Sequence, residues 1–563
     1  MDCAFQFVKV LKSNQVLEIL DIDWGVFTLD MLIDIFKTNH KALPTKFTLS
    51  PDILRFHPQD ENKLCEALAY FTNLTEIVIG KQKGSFPIKP KELATTTVFD
   101  SGDYYLTDSD AIIICNLISH SNLSTLNLTN NPDIGSYCGE SLIELIKRSK
   151  KLKVLNLSET DIQNKTVVEV GVALKNNSVI EEIIMNPCRQ KEDGLEDKAA
   201  LSIYDAIFDK KSLKKLDLEW KKFSADVICK FIKLNAPAMP SKLEFYNIKP
   251  DGALKIGIAL TESKYIESIY VNGSNYEIRP SLLSDLKILK SKKDSILKNE
   301  DIIIVVQFLK IGNNVLKEII LEGKHITDSI GNIISQLFET SSTSCSSIEK
   351  LEITNTNVGN DFAKFVCATL IQSPKNNLKY LAVENANVTN EGINYFVDLV
   401  KHENCRLKTG ELKLDFHKCT ANVMRQFIET NHPCLPPDIK LTVTSLDEAE
   451  EIAISVKKND YIKTISIHKY KLPLQTLRTN TKVVLQNEND TKLCKFDFAL
   501  IVALLIDNKN VKIVNLRNTY EAAERQELEQ KDKVEISSFL CNLLRKKMKE
   551  TNFELQLEWD LLD

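Results

Sequence analysis

Three histidines, His402, His417 and His432, fall 15 residues apart, and a cysteine follows each by two or three residues: Cys405, Cys419 and Cys434. Thiolate and imidazole are the ligands of tetrahedral zinc, so the donor types suit a metal. The spacing argues against it. Zinc modules pair their ligands through tight C-x-x-C turns, and the chain contains no C-x-x-C. Buried cysteines at turn positions with surface histidines account for the pattern, and no metal ligand is assigned. A Cys–His nucleophile needs a defined pocket that holds the base beside the thiol. With thirteen cysteines in the chain, some Cys near some His is expected without selection for chemistry.

Other chemical signatures are missing. There is no G-x-x-x-x-G-K-[ST], G-x-G-x-x-G, H-E-x-x-H or G-x-S-x-G. Two acid pairs have structural explanations. Asp21-Ile22-Asp23 straddles a core isoleucine on a strand, and Asp108-Ser109-Asp110 reads as a helix N-terminal cap. Arg545-Lys546-Lys547 and Lys549 place cations where a helix C-terminus favours them. No catalytic residue and no cofactor is expected, and the chain reads as non-enzymatic.

The elements that would position any site must come from 563 residues, 43% hydrophobic and 26% charged, a globular balance. A net charge of −5 gives no global basic footprint of a nucleic-acid binder. The N-terminus lacks a basic n-region and a sustained apolar run, and runs such as Phe498 to Ile506 are too short to span a bilayer. Unpaired cysteines in a chain without a secretory signal point to a reducing compartment. The expected location is cytoplasmic, without membrane or nucleic-acid partners. The oligomeric state is not readable.

One pattern organises the chain. Leu123, Leu126, Leu128, Asn131 and Ile134 open one copy, and Leu152, Leu155, Leu157, Thr160 and Ile162 open the next, 29 residues on. Each opening precedes an amphipathic run, Ser141 to Ile146 and then Val167 to Leu174. Further openings start at Leu17, Leu74, Ile180, Leu213, Ile266, Leu316, Ile348, Leu378, Ile439, Ile462 and Val511, and weaker copies bring the total to about sixteen. This pattern resembles leucine-rich repeats of the ribonuclease-inhibitor type, and Cys188 sits where that subtype accepts cysteine.

The resemblance implies an α/β leucine-rich-repeat solenoid, or horseshoe. Its parallel sheet lines the concave face and its helices the convex face, because helices pack about 10 Å apart and strands about 4.8 Å. The expected organisation is one solenoid over 1–563. An insertion loop lies at 80–106, an irregular insertion or extra helix at 272–299, and a capping helix and strand at 520–563.

The resemblance also implies a protein-binding scaffold. Residues between the buried leucines face the concave surface, and there carboxylates mix with aromatics: Asp217, Glu219, Trp220, Tyr270, Glu322, Glu352, Tyr380 and Glu384. Such a face would grip a basic protein partner. Rival readings come from the same repeat type. Activators of the Ran GTPase share it, but their functional residues do not map onto this sequence. Tropomodulin-like actin regulators carry N-terminal actin-binding helices, whereas this chain enters its first repeat by Leu17. The Lys, Asn and Ile bias and the irregular repeats resemble effectors that intracellular bacteria deliver into a host cytoplasm. The F-box pattern and the ligase domain of some such effectors are missing.

Overall fold

In the computed structural model the leucines of the repeat align in register. The described residues are 2–49, 58–79, 86–101, 104–118, 122–186, 195–291, 297–311, 315–339, 347–467, 470–474, 482–484, 495–505, 513–515 and 556–558. Cys188 and the expected helix from Tyr520 to Glu550 lie outside them. The chain divides into two compact units: 1–273 with 277–280, and 274–276 with 281–563.

In the first unit, β1 (Lys46–Leu49), β2 (Glu76–Ile79) and β3 (Pro87–Ile88) form one sheet. A five-stranded parallel sheet follows in chain order: β4 (Val98–Asp100), β5 (Thr125–Asn127), β6 (Val154–Asn156), β7 (Glu182–Met185) and β8 (Lys215–Leu218). Its central row is Phe99, Leu126, Leu155, Ile183 and Leu216, each the register partner of the next and each buried. Then β9 (Lys242–Phe245) and β10 (Ser268–Val271) pair in parallel.

The second unit repeats the plan. A parallel sheet comprises β11 (Ile288–Lys290), β12 (Glu318–Glu322), β13 (Lys350–Thr354), β14 (Tyr380–Glu384) and β15 (Leu412–Leu414). Its row is Leu289, Ile319, Leu351, Leu381 and Leu412, all fully buried. Next come β16 (Asp438–Leu441), β17 (Thr464–Ile467) and β18 (Tyr470–Pro473), then β19 (Lys482–Val484), β20 (Ile513–Asn515) and β21 (Gln556–Glu558). Repeated strand–helix units around parallel sheets make this an α/β leucine-rich-repeat solenoid. Burying each such leucine contributes about 1.5–3 kcal/mol, and a single repeat cannot bury its own row, so the repeats stack.

Three of the described sheets end where the chain turns back. Residues Ile77 and Val78 of β2 pair antiparallel with β3, β17 pairs antiparallel with β18, and Ile269 of β10 pairs antiparallel with Ile278. Each reversed segment takes the edge that another parallel strand would use. The stretch 80–106 contains β3, β4 and a helix, Pro90–Thr95; the stretch 272–299 contains a short helix, Pro280–Leu283, and β11. The earliest opening, around Leu17 and Leu20, carries no strand, and the Leu20 N–H bonds the Ala42 carbonyl.

Two polar ladders hold successive helices in place. At helix starts, a side chain from one repeat accepts backbone N–H groups of the next. Asp108 takes Gly135 and Cys138, Asn164 takes Glu196, Asp197 takes Ser224, and Asn360 takes Thr389 and Gly392. These N–H groups have no partner within their own helix, so the neighbouring repeat supplies it. Asp108 therefore caps the following repeat, while Asp110 accepts from Thr107 at the start of its own helix. At helix ends, Asn177 accepts from Val179 and Ile180 and donates to Leu152 one repeat back. Asn459 does the same with Tyr461, Ile462 and Ile428. On the strand side, Asn131 is fully buried and bonds Leu106 N–H, Ser101 Oγ and two carbonyls.

Between helices the packing is tight. A Cβ on Gly171 would sit 2.2 Å from Ser202 Oγ and 2.7 Å from its carbonyl group, so only glycine admits this approach.

Candidate functional site

The eight residues expected on the strand side fall into two groups, one per unit. In the first unit, Asp217, Glu219 and Trp220 line a recess of about 710 Å³ at the strand ends, with Glu159, Lys221 and Glu244. Part of its charge is neutralised internally. Lys221 lies 2.7 Å from Glu244 and 5.5 Å from the Tyr246 ring centre, and the Tyr246 hydroxyl donates to Glu244. The Lys221 and Tyr246 hydrogen bonds hold Glu244 below the usual carboxylate range. Tyr270 is half-buried beside Glu244 in register and lies against Glu277, which pairs with Arg279.

Trp220 corrects the expectation of an exposed aromatic. It is 7% exposed and meets Phe223 and Phe231 edge-on. The physical reason is local. The strand stops at Leu218 and the backbone tightens into a 3-10 turn, Trp220–Lys222, which takes the ring out of the strand's in–out alternation. The sequence held a signal for this. Leu218-Glu219-Trp220-Lys221-Lys222-Phe223 matches Leu414-Asp415-Phe416-His417-Lys418-Cys419, where Phe416 is likewise buried in a 3-10 turn against Phe427.

In the second unit the register builds a continuous outward face. Glu318, Lys350 and Tyr380 form one row, and Glu322, Thr354 and Glu384 another. Glu352 lies between them, flanked by Ile320 and the buried Ala382. Lys350 binds Glu352 at 2.7 Å and stands 4.9 Å from the Tyr380 ring centre. Asn355 donates to Glu322 at 2.8 Å. Glu384 is different: burial first, then the charge of Asp415, push its carboxyl above the ordinary range. Burial works to raise Asp415, but its 2.7 Å bond to Lys418, the Lys418 charge and the backbone N–H groups of Asn385 and Ala386 together hold it low.

A second cluster lies at helix-to-strand turns. The helix Asn390–Lys401 ends in the turn that carries His402 and Cys405, and the helix Ala421–Glu429 ends in the turn that carries His432 and Cys434. Stacking of neighbouring repeats brings Cys405, His432 and Cys434 together, with one nitrogen or sulfur from each within 4.8 Å of the others. The other members of the sequence pattern stay apart. His417 is exposed, and Cys419 occupies the core position of Phe223, where burial pushes its thiol up to about 12. His402 accepts the Asn404 N–H, and His432 accepts the Cys434 N–H at 3.1 Å. The Cys434 thiol donates to Cys405, which brings Cys405 down to about 7 and holds the Cys434 proton tightly. Spacing counted along the chain missed this grouping, because its members meet across repeats.

No family model matches the sequence, and no curated protein matches it. Among solved structures, an internalin of Listeria monocytogenes aligns over 69% of this chain and 91% of its own length, at 14% identity and a TM-score of 0.21. Among the described residues no helix is long and apolar enough to cross a membrane.

Proposed function

We propose that the chain is a non-enzymatic scaffold, of the ribonuclease-inhibitor-like repeat type, that holds a protein partner on the strand face of its second unit. The supporting observation is the row register of β12, β13 and β14. It sets Tyr380 and the carboxylates Glu322, Glu352 and Glu384 on one preassembled surface. A surface fixed by stacking loses little conformational freedom on binding. Glu384 adds a direction to the reading. Its carboxylate is crowded by Asp415, so a cationic group arriving from a partner would relieve that repulsion. The partner is accordingly a protein with a basic surface, and Tyr380 is the aromatic anchor beside it. Asp217, Glu219 and Tyr270 form a secondary face in the first unit. Cys65, Cys115, Cys138, Cys229, Cys367, Cys405, Cys419 and Cys434 are free thiols, which suits a reducing compartment such as the cytoplasm.

The test is affinity capture with the full chain, compared with a Glu352→Lys/Tyr380→Ala/Glu384→Lys variant, a Tyr270→Ala variant and a helix-side control, Lys364→Glu. The proposal expects partners retained by the control and lost by the triple variant, with binding weakened by salt. Partners held at wild-type strength by the triple variant would place the binding face elsewhere.

A further inference from the structure

We propose that Cys405, His432 and Cys434 form a binding site for a thiophilic metal ion, with zinc the expected occupant. Three donor atoms already lie within 4.8 Å of one another. Ligands at about 2.0–2.3 Å from a tetrahedral zinc stand roughly 3.3–3.8 Å apart, so closing the site takes side-chain shifts of about 1 Å. Two thiolates and an imidazole favour zinc or cuprous ions and disfavour magnesium and calcium, which take oxygen ligands. Three protein ligands leave one coordination position, and the half-buried Cys405 and His432 leave it open to water, while Cys434 anchors the site in the core.

The backbone fixes the two turns against each other. Gly410 N–H donates to the Pro433 carbonyl at 2.9 Å, and Leu412 N–H to the Cys434 carbonyl at 3.0 Å. Within the first turn, Cys405 N–H donates to the His402 carbonyl at 3.0 Å. The donors therefore sit on a framework that exists before any ion arrives.

The bland alternative is that these residues only close their turns, and His432 does have such a role through its Nδ1. Asn459 performs the same role one repeat later and needs no thiol near it. Turn closure therefore explains a hydrogen-bond acceptor at 432 and leaves the facing thiols of Cys405 and Cys434 unexplained. With Nδ1 accepting the Cys434 N–H, the ring proton of a neutral His432 sits on Nε2. Ligation exchanges that arrangement for a metal–nitrogen bond, and each thiol that ligates releases its proton.

The reduced, metal-stripped full chain is titrated anaerobically with Co2+, then with Zn2+ in competition with a chromogenic chelator. One equivalent should bind, with thiolate-to-cobalt charge-transfer absorption that zinc abolishes. Cys405→Ser and Cys434→Ser should each remove that absorption and weaken zinc binding at least 100-fold, and Cys419→Ser should change neither. His432→Asn is the decisive variant: asparagine keeps the turn bond, as Asn459 does, and removes the ligand. It should keep the wild-type melting temperature and lose roughly tenfold or more in zinc affinity. Absence of stoichiometric binding by the fully reduced chain overturns the proposal. So does wild-type binding by the Cys405→Ser/Cys434→Ser double variant, or by His432→Asn. Thiols that form a disulfide in air but bind no metal once reduced also overturn it.

Discussion

The turn closed by Asn459 and the turn closed by His432 occupy the same place in consecutive repeats. Both use a side-chain acceptor to take up the N–H two residues on. They differ in what else the side chain does. Asn459 is 1% exposed and reaches back with its amide to the Ile428 carbonyl, so its three hydrogen bonds all go to the backbone. His432 is half-buried, and one of its ring nitrogens lies within 4.8 Å of two thiols. An amide-closed turn is a finished piece of structure. An imidazole-closed turn gives the same hydrogen bond through a side chain that can exchange it for a metal–nitrogen bond.

The largest test of this contrast removes the finished turn. Asn459→Ala abolishes three hydrogen bonds, two of them buried, and leaves the Tyr461 and Ile462 N–H groups without that acceptor, while the Ile428 carbonyl keeps the Asn431 N–H. The expected loss in urea denaturation is about 3 kcal/mol. The second test concerns a helix start. Asp301 is fully buried, accepts the Lys298 N–H, and is raised by burial to about 6 from 3.8. The folded chain therefore holds this proton more tightly than the unfolded one. The contribution of Asp301 to stability should be fully present below pH 4 and be lost, by about 2–3 kcal/mol, as pH rises through 6. Asp301→Asn should flatten that slope in denaturation curves at pH 4.5 and pH 7.5. Third, His432→Ala should cost about 1 kcal/mol, whereas His432→Asn should be close to neutral. A large loss for His432→Asn in the same assay would break the equivalence of the two turns. The smallest effect is expected on the strand face. Glu384→Gln should change stability by less than about 0.5 kcal/mol, because solvent still screens a half-buried carboxylate on the strand face.

Much of the fold was legible because leucine spacing and strand register are the same fact seen twice. Leu126 and Leu155, 29 residues apart in sequence, are direct partners in the sheet. Glu352 sits between the buried Leu351 and Ile353, and Tyr380 and Glu384 lie next to the buried Leu381 and Val383, as the alternation predicted. Trp220 was misread because alternation holds only while the strand continues, and the 3-10 turn ends it. The ladders through Asp108, Asn164 and Asn360 were illegible. An asparagine that caps its own helix and one that caps the next have the same sequence signature. The Cys405–His432–Cys434 grouping was hidden for a related reason: its halves belong to different repeats, and only stacking decides which turn residues face each other.

The reversed strand β18 has a consequence for how the array comes apart. Cooperativity in a solenoid passes from neighbour to neighbour, and here the edge that would transmit it from β17 is already occupied. Partial opening on the far side of β18 has no ladder of hydrogen bonds by which to spread into β16 and β17. At such a junction the packed helices Leu446–Lys458 and Lys495–Leu505, and not the strand ladder, are the route by which melting spreads.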